Sequence, residues 1–463
     1  MKYFIFLGIV LSGIPIIGML SARNATFRSL CWMGLTGCIA IGDISGVNFI
    51  SNESYRGTDR GFELTLTDMF AFGLLLSRSM RAPLVEASRK TVPSGFLVFC
   101  LFLALGLIGV MTSLMPLYGF FTIWKMLRML FLYWLVWSAG RMEADPQVFY
   151  EGVLRGLIFG LLVVGLMGAK QKFVDHMYRV NSTFDHSNSI PLYVNLAAAP
   201  VFAWILGDHK MGRIQFFLGF GAVGAALVAV LATQSRLGIL LAGVSVFASL
   251  LVSNGREASK RSRAAAVVFV MASVIGGIMV SDTLIDRVKN APESSAEARD
   301  EFNVAARLMA AEHFFGVGLN NFSYTMTTVE KYRAQVEVMA DEEQSGVAHH
   351  LYLLTAAETG YIGLIVLVLV FVMVQVPLIG FLLKKRSKAQ KAALGFLPQV
   401  VIATLAGQYA LFTSCFFEWA FRITPVISQY FAVSAIMAAA VSRSEMSGES
   451  GLGLAFSRSK VAS

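Results

Sequence analysis

Charge is scarce in this chain. Only 14% of its 463 residues are Asp, Glu, Lys or Arg, while 56% are hydrophobic. Soluble domains carry about 25% charged residues, so the composition excludes an ordinary soluble fold. Cysteine is scarce too. Cys31, Cys38, Cys100 and Cys415 lie in or beside apolar runs and show no C-x-x-C spacing. They read as small core residues, not as a disulfide framework or metal site. Several motifs are missing altogether: D-x-D, a Walker A sequence, H-E-x-x-H and G-x-S-x-G. Their absence disfavours nucleotide-sugar enzymes that use a metal-binding D-x-D pair, and it disfavours ATP hydrolysis. No repeat of 20–50 residues and no low-complexity tract is evident.

What is present in quantity is apolar sequence. Runs of spanning or near-spanning length fall near 2–20, 28–43, 63–79, 94–112, 117–139, 149–167, 190–207, 214–232, 238–253, 264–281, 355–383, 395–414 and 425–441. Each is close to the ~20 residues that cross a bilayer as helix. The expected fold is an all-α polytopic integral membrane protein with 12 or 13 spans. Lys2 followed by an apolar run also suits a signal peptide, but Ser21-Ala22-Arg23 is a poor cleavage site and more spans follow, so the run reads as a retained first span. The net charge of +9 does not point to nucleic acid. Its basic residues sit in short loops: Arg78, Arg81, Arg89 and Lys90; Arg256, Lys260, Arg261 and Arg263; Lys384, Lys385, Arg386, Lys388 and Lys391. Such loops are cytoplasmic by the positive-inside rule. Alternation then puts the loops 44–62, 168–189, 234–237 and 282–350 on the outer side.

The chain divides accordingly. Residues 1–281 form an N-terminal transmembrane bundle and 282–350 a large periplasmic loop. Residues 351–441 form C-terminal transmembrane helices, and 442–463 a disordered cytoplasmic tail. The large loop holds twelve acidic and six basic residues, a net of −6. Within it, 295–314 patterns as an amphipathic helix with Phe302, Ala305, Ala306, Met309 and Ala310 on one face. Gly316-Val317-Gly318-Leu319-Asn320-Asn321-Phe322 ends that helix.

Polar residues at the outer boundary are the candidates for chemistry. Arg236 lies between two apolar spans, where a guanidinium is costly unless it serves a cavity, a partner or the interface. It suits bidentate contact with phosphate, or plain interfacial anchoring. His349 and His350 close the loop, and either suits a general base or a solvated loop histidine. Glu358 is a carboxylate entering a span. Arg299 and Arg307 lie on the loop helix, where solvated faces are common. His186 and Asn188 precede another span, where a turn and cap are the bland alternative. Lys125 and Arg128, one turn apart in an apolar run, face an internal cavity or lipid phosphates.

Taken in order, these pieces resemble the O-antigen ligase and O-antigen polymerase superfamily over roughly residues 60–440. Asp185-His186-Ser187-Asn188 is similar to its His-Pro-Asn element, and Gln234-Ser235-Arg236-Leu237-Gly238 to its Ser-Arg-Gly turn. Arg299, the loop helix and the Gly316–Phe322 stretch, which includes Asn320, look like its arginine, helix and Gly-x-Gly pattern. Ala348-His349-His350-Leu351-Tyr352 with Glu358-Thr359-Gly360 looks like its His-Asn-x-x-Leu…Glu-x-Gly element. Here Ser187 stands for Pro, Leu237 for Gly and His350 for Asn, so the match favours His349 as the base. The resemblance implies a GT-C-like, metal-independent inverting glycosyltransferase of the bacterial inner membrane, with no cofactor. Its donor would be a glycan on undecaprenyl diphosphate at the periplasmic side. Arg236 and Arg299 would bind the diphosphate, and His349 would take the acceptor's proton. His186, Asn188, Arg307, Asn320, His350 and Glu358 would line the substrates. Polymerase action in exopolysaccharide or O-antigen synthesis is favoured, with a ligase onto lipid A-core as the alternative. A flippase or transporter is the rival class, which predicts repeats and midplane charges; no repeat is found, and the distinctive polar elements gather on the outer side.

Overall fold

A computed structural model describes residues 2–81, 91–253, 259–271, 274, 293–336 and 346–447. Helices form where the apolar runs lie. The first ten are α1 (Lys2–Arg23), α2 (Ala25–Cys38), α3 (Gly42–Ser45), α4 (Leu66–Ser79), α5 (Phe96–Met111), α6 (Pro116–Met142), α7 (Pro146–Phe173), α8 (Ser189–Gly207), α9 (Arg213–Ala232) and α10 (Arg236–Ser253). Helical residues 260–271, termed α11, open the run read as 264–281; the rest of that run, residue 274 apart, lies outside the described residues. There follow α12 (Glu293–Glu312), α13 (Phe322–Thr328), α14 (Glu330–Arg333), α15 (Leu351–Leu383), α16 (Lys388–Ala393), α17 (Leu397–Ser414) and α18 (Thr424–Ser447). β1 (Val47–Phe49) and β2 (Phe62–Leu64) pair antiparallel, with Asn48 opposite Glu63. The chain is an all-α polytopic membrane protein.

Among the described residues, eight helices are long and apolar enough to cross a membrane. The expected 12 or 13 is higher because several apolar runs fold into shorter helices. α2 and α4 have 14 residues each and α5 has 16. At 1.5 Å per residue, 14 residues reach only about 21 Å, short of the ~30 Å hydrocarbon core. α2 makes up length by running through a 3₁₀ turn, Ile39–Ile41, directly into α3. α18 continues to Ser447, beyond the expected limit at 441, and the residues after it lie outside the described residues.

The loops sort to two ends. At one, Glu143 pairs with Arg28 at 3.3 Å and Arg81 at 2.8 Å, and its backbone oxygen accepts Arg443 at 2.8 Å. Arg261 donates to the Met211 and Asp208 carbonyls, both at 3.0 Å, and Lys384 pairs with Glu445 at 3.1 Å. These belong to the basic connections. By the alternation of the helices, residues 174–188, 233–235, 346–350 and 415–423 gather at the opposite end.

Lys125 and Arg128 are buried and paired within the protein itself. Lys125 pairs with Asp59 at 2.5 Å, and Arg128 with Asp68 at 2.5 Å and Glu63 at 3.0 Å. Their partners come from the β1–β2 connection, β2 itself and the first turn of α4. Burying a cation in this setting demands a paired, hydrogen-bonded anion, and that segment supplies it.

α12 buries Phe302, Ala305, Ala306, Met309 and Ala310, each at most 5% exposed, which is the face expected from the spacing. It packs along α15. α15 is broken at Gly360, whose backbone stands at φ 70°, ψ 172°. The Gly-x-Gly loop fits over this break: Val317 N–H donates to Ala357 O at 2.9 Å and Gly318 N–H to Glu358 O at 3.0 Å. A Cβ on Gly360 would stand 1.9 Å from Phe314 O, and L side chains strain at this φ. Gly360→Ala is therefore expected to lower the thermal midpoint of the purified protein, at a cost of at least ~1–3 kcal/mol for the strained backbone alone. Gly380→Ala, where a Cβ meets nothing within 4 Å, is the control and should leave the midpoint in place. Equal midpoints for both variants would contradict the clamp.

Candidate functional site

His349 sits one residue before the N-cap of α15, with Val347 and Ala348 buried beside it. Its Nδ1 is buried and has no hydrogen-bond partner among the described residues. Burial first, then the Arg299 guanidinium and His186, hold its pKa down to about 4. The imidazole is therefore neutral near pH 7, with a ring nitrogen able to accept a proton.

His350 has a different task. It is the N-cap of α15, and its Nδ1 accepts the Leu353 N–H at 3.3 Å. Its ring packs edge-on against Tyr352 and Phe416. Burial lowers its pKa, with Arg307 adding to the effect. Of the two adjacent histidines, one starts the helix and the other keeps a buried, unengaged nitrogen.

Arg299 reaches from α12 towards Glu418, with Nη2 3.9 Å from Oε1. Glu418 lies in the turn after α17. Its Oε1 accepts Asn188 Nδ2 at 2.6 Å, and its backbone oxygen accepts the Leu351 N–H at 3.3 Å. Asn188 makes no side-chain cap on α8. Instead its Oδ1 accepts Arg179 Nη2 at 2.9 Å, and Arg179 Nε donates to Thr233 O at 3.0 Å. His186, alongside, packs edge-on against Trp419 with ring centroids 5.9 Å apart. A continuous polar chain thus joins the Thr233 turn, the 179–188 segment, the 415–419 turn and α12. It ends beside His349.

Arg236 is exposed on the first turn of α10, and it makes no ion pair among the described residues. The turn before it is tight: Gln234 has φ 56°, and Ser235 N–H donates to Thr233 Oγ1 at 3.1 Å. A Cβ on Gly238 would stand 2.5 Å from Pro191 of α8, so the turn is pressed against the helix that Asn188 precedes. Arg307 is exposed on α12.

Glu358 and Asn320 are committed to the scaffold. Glu358 pairs with Arg422 at 2.7 Å, both side chains 1% exposed. The Asn320 amide accepts from Thr58 N–H at 2.8 Å and Asp59 N–H at 3.2 Å, and donates to Asp59 O at 2.8 Å and Tyr118 O at 2.9 Å. With donors and acceptor filled by the chain itself, Asn320 positions the loop and does not fit the role of substrate contact.

Arg179, Glu418 and Arg422 were not among the sequence candidates. Glu418 carried a usable signal: a lone acid among aromatics, Phe416-Phe417-Glu418-Trp419, between two spans on the candidate side. Arg179 and Arg422 are recognisable only once their partners are placed.

An all-α membrane bundle with its candidate polar residues gathered at one end is the class of protein that fold and site define. Residues 221–368 match the family model described as O-antigen ligase. Over that stretch, about a third of its length, the chain is similar to O-antigen ligases. The matched stretch holds Arg236, Arg299, Arg307, Asn320, His349, His350 and Glu358; His186, Asn188 and Glu418 lie outside it. No curated protein matches the chain.

Proposed function

We propose that the chain is a glycosyltransferase of the inner membrane that polymerises glycan carried on undecaprenyl diphosphate, working at the periplasmic face. The observation that carries this reading is the meeting of Arg299 with the base-bearing segment at His349, at the end opposite the basic loops. Guanidinium suits a diphosphate, and Arg236 and Arg307, exposed and cationic, would supply more positive potential. His186 and Asn188 would line the glycan side.

The step is an inverting displacement. The acceptor hydroxyl attacks the anomeric carbon, the bond from that carbon to the diphosphate oxygen breaks, and the hydroxyl proton passes to His349. A base held at about 4 by burial and Arg299 is weak alone. Donor phosphates beside Arg299 offset its charge and strengthen the base as the leaving group gains charge. The leaving group is already activated, so the step needs neither nucleotide nor metal. An apolar groove of about 440 Å³ lined by Tyr352, Phe371, Phe412 and Phe416 opens beside His350 and suits a polyprenyl chain.

The test is polymer output in a host deleted for the gene, complemented with wild type, Arg236→Ala or Arg299→Ala at matched membrane abundance. Both variants are expected to cut output by about 10²-fold or more, with lipid-linked repeat units accumulating at the outer face. Polymer that forms but stays on undecaprenyl diphosphate would mark a ligase. Accumulation at the inner face would mark a flippase, and wild-type behaviour would remove the arginines from the site.

A further inference from the structure

Glu418 joins α12, the 179–188 segment and the start of α15, yet neither of the proposed roles, base or phosphate ligand, falls to it. Its carboxylate faces Arg299 from α12, at 3.9 Å. Asn188 from the 179–188 segment donates to it at 2.6 Å, and Arg179 stands behind Asn188. Cys415, in its own turn, feels its charge. His349 shares Arg299 with it. A carboxylate and a diphosphate are alternative anions for one guanidinium, and both bind it through the same pair of N–H groups. Two anions crowded on one cation repel, so the arrival of the second favours protonation or departure of the first.

We propose that Glu418 is the resident counter-ion of Arg299, and that the donor's diphosphate takes its place. This rests on the reading of the site as a lipid-diphosphate glycosyltransferase. Glu418 is then a positioning residue: it holds Arg299 in place without donor and sets the affinity for donor, while the reacting atoms stay with His349. Asn188, tied to the Thr233 turn through Arg179, keeps the displaced carboxyl in place by its hydrogen bond.

The consequence is a pH-dependent donor affinity. Burial pushes the Glu418 carboxyl up to about 7, against the opposing pull of Arg299, Asn188 and Arg179. Below that pH the carboxyl is neutral and Arg299 is open to the donor. Above it the carboxylate competes, and binding weakens. A sugar diphosphate diester holds one ionised oxygen on each phosphorus throughout this range, so the donor itself does not titrate. His349, held at about 4, does not titrate here either.

The experiment is binding of undecaprenyl-diphosphate-linked N-acetylglucosamine to the full-length protein in lipid nanodiscs between pH 6 and 8. Wild type is expected to lose affinity about tenfold across that range. Glu418→Gln keeps an oxygen for Asn188 and lacks the charge. It should bind with near-constant affinity and exceed wild type at pH 8 by about tenfold. Glu418→Asp keeps the charge and should retain the pH dependence, which guards against misfolding of the Gln variant. The same pH dependence in Glu418→Gln as in wild type, or none in wild type, would overturn the proposal while leaving the functional reading intact. No binding by wild type at any pH would overturn both.

Discussion

His349→Ala is expected to reduce glycan transfer by about 10²–10⁴-fold, the usual worth of a positioned general base, with the protein still present in the membrane at normal abundance. The basis is the pairing of a buried, unengaged Nδ1 with the nearby Arg299 charge. His350→Ala makes the informative contrast. That residue caps α15 through Leu353 N–H, so its loss should cost roughly 0.5–2 kcal/mol of stability and far less turnover. A purified assay with donor and acceptor would separate the two. Equal losses of turnover, or an active His349→Ala protein, would remove His349 as the base. The pH profile adds a second check. Free His349 stays neutral until the pH falls towards about 4. The acid limb of kcat/KM that protonates the base should therefore appear well below the ordinary histidine range.

The second large effect is on folding. Glu358→Ala removes the anion that pairs with Arg422 at 2.7 Å where both side chains are 1% exposed. Breaking one side of a buried pair costs about 3–5 kcal/mol, because the remaining charge is stranded. Arg422 is poorly placed to compensate, since its Nε and Nη1 already lack hydrogen-bond partners among the described residues. The expected result is a severe fall in membrane abundance. Glu358→Gln should be milder, and Glu358→Ala combined with Arg422→Met should recover abundance relative to Glu358→Ala alone. Wild-type abundance in Glu358→Ala would show that the pair is not structural.

Much of this architecture was legible in the amino-acid order, because bilayer crossing imposes apolar length. The apolar face of α12 could be read as well, since Phe302, Ala305, Ala306, Met309 and Ala310 recur at helical spacing and all are buried. Pairings across the sequence could not be read. Lys125 and Arg128 are alone in their own run, and their anions arise about sixty residues upstream, in residues 59–68. Glu358 looked like a site residue until Arg422, 64 positions later, was found against it. Between His349 and His350 the family pattern favoured His349. What the order of residues could not show is that His350 turns back to cap Leu353.

The break at Gly360 also bears on how the protein meets lipid. Residues 361–383 reach about 34 Å as helix, enough alone for a ~30 Å hydrocarbon core. The preceding turns, Leu351–Thr359, are tied to the Gly-x-Gly loop by the hydrogen bonds to Ala357 and Glu358. Hydrophobic mismatch is met by helix tilt, and the non-helical backbone at Gly360 is where a tilt of the long segment would be taken up. A tilt of the long segment about Gly360 would leave the clamped turns, and the His350 cap that starts them, in place.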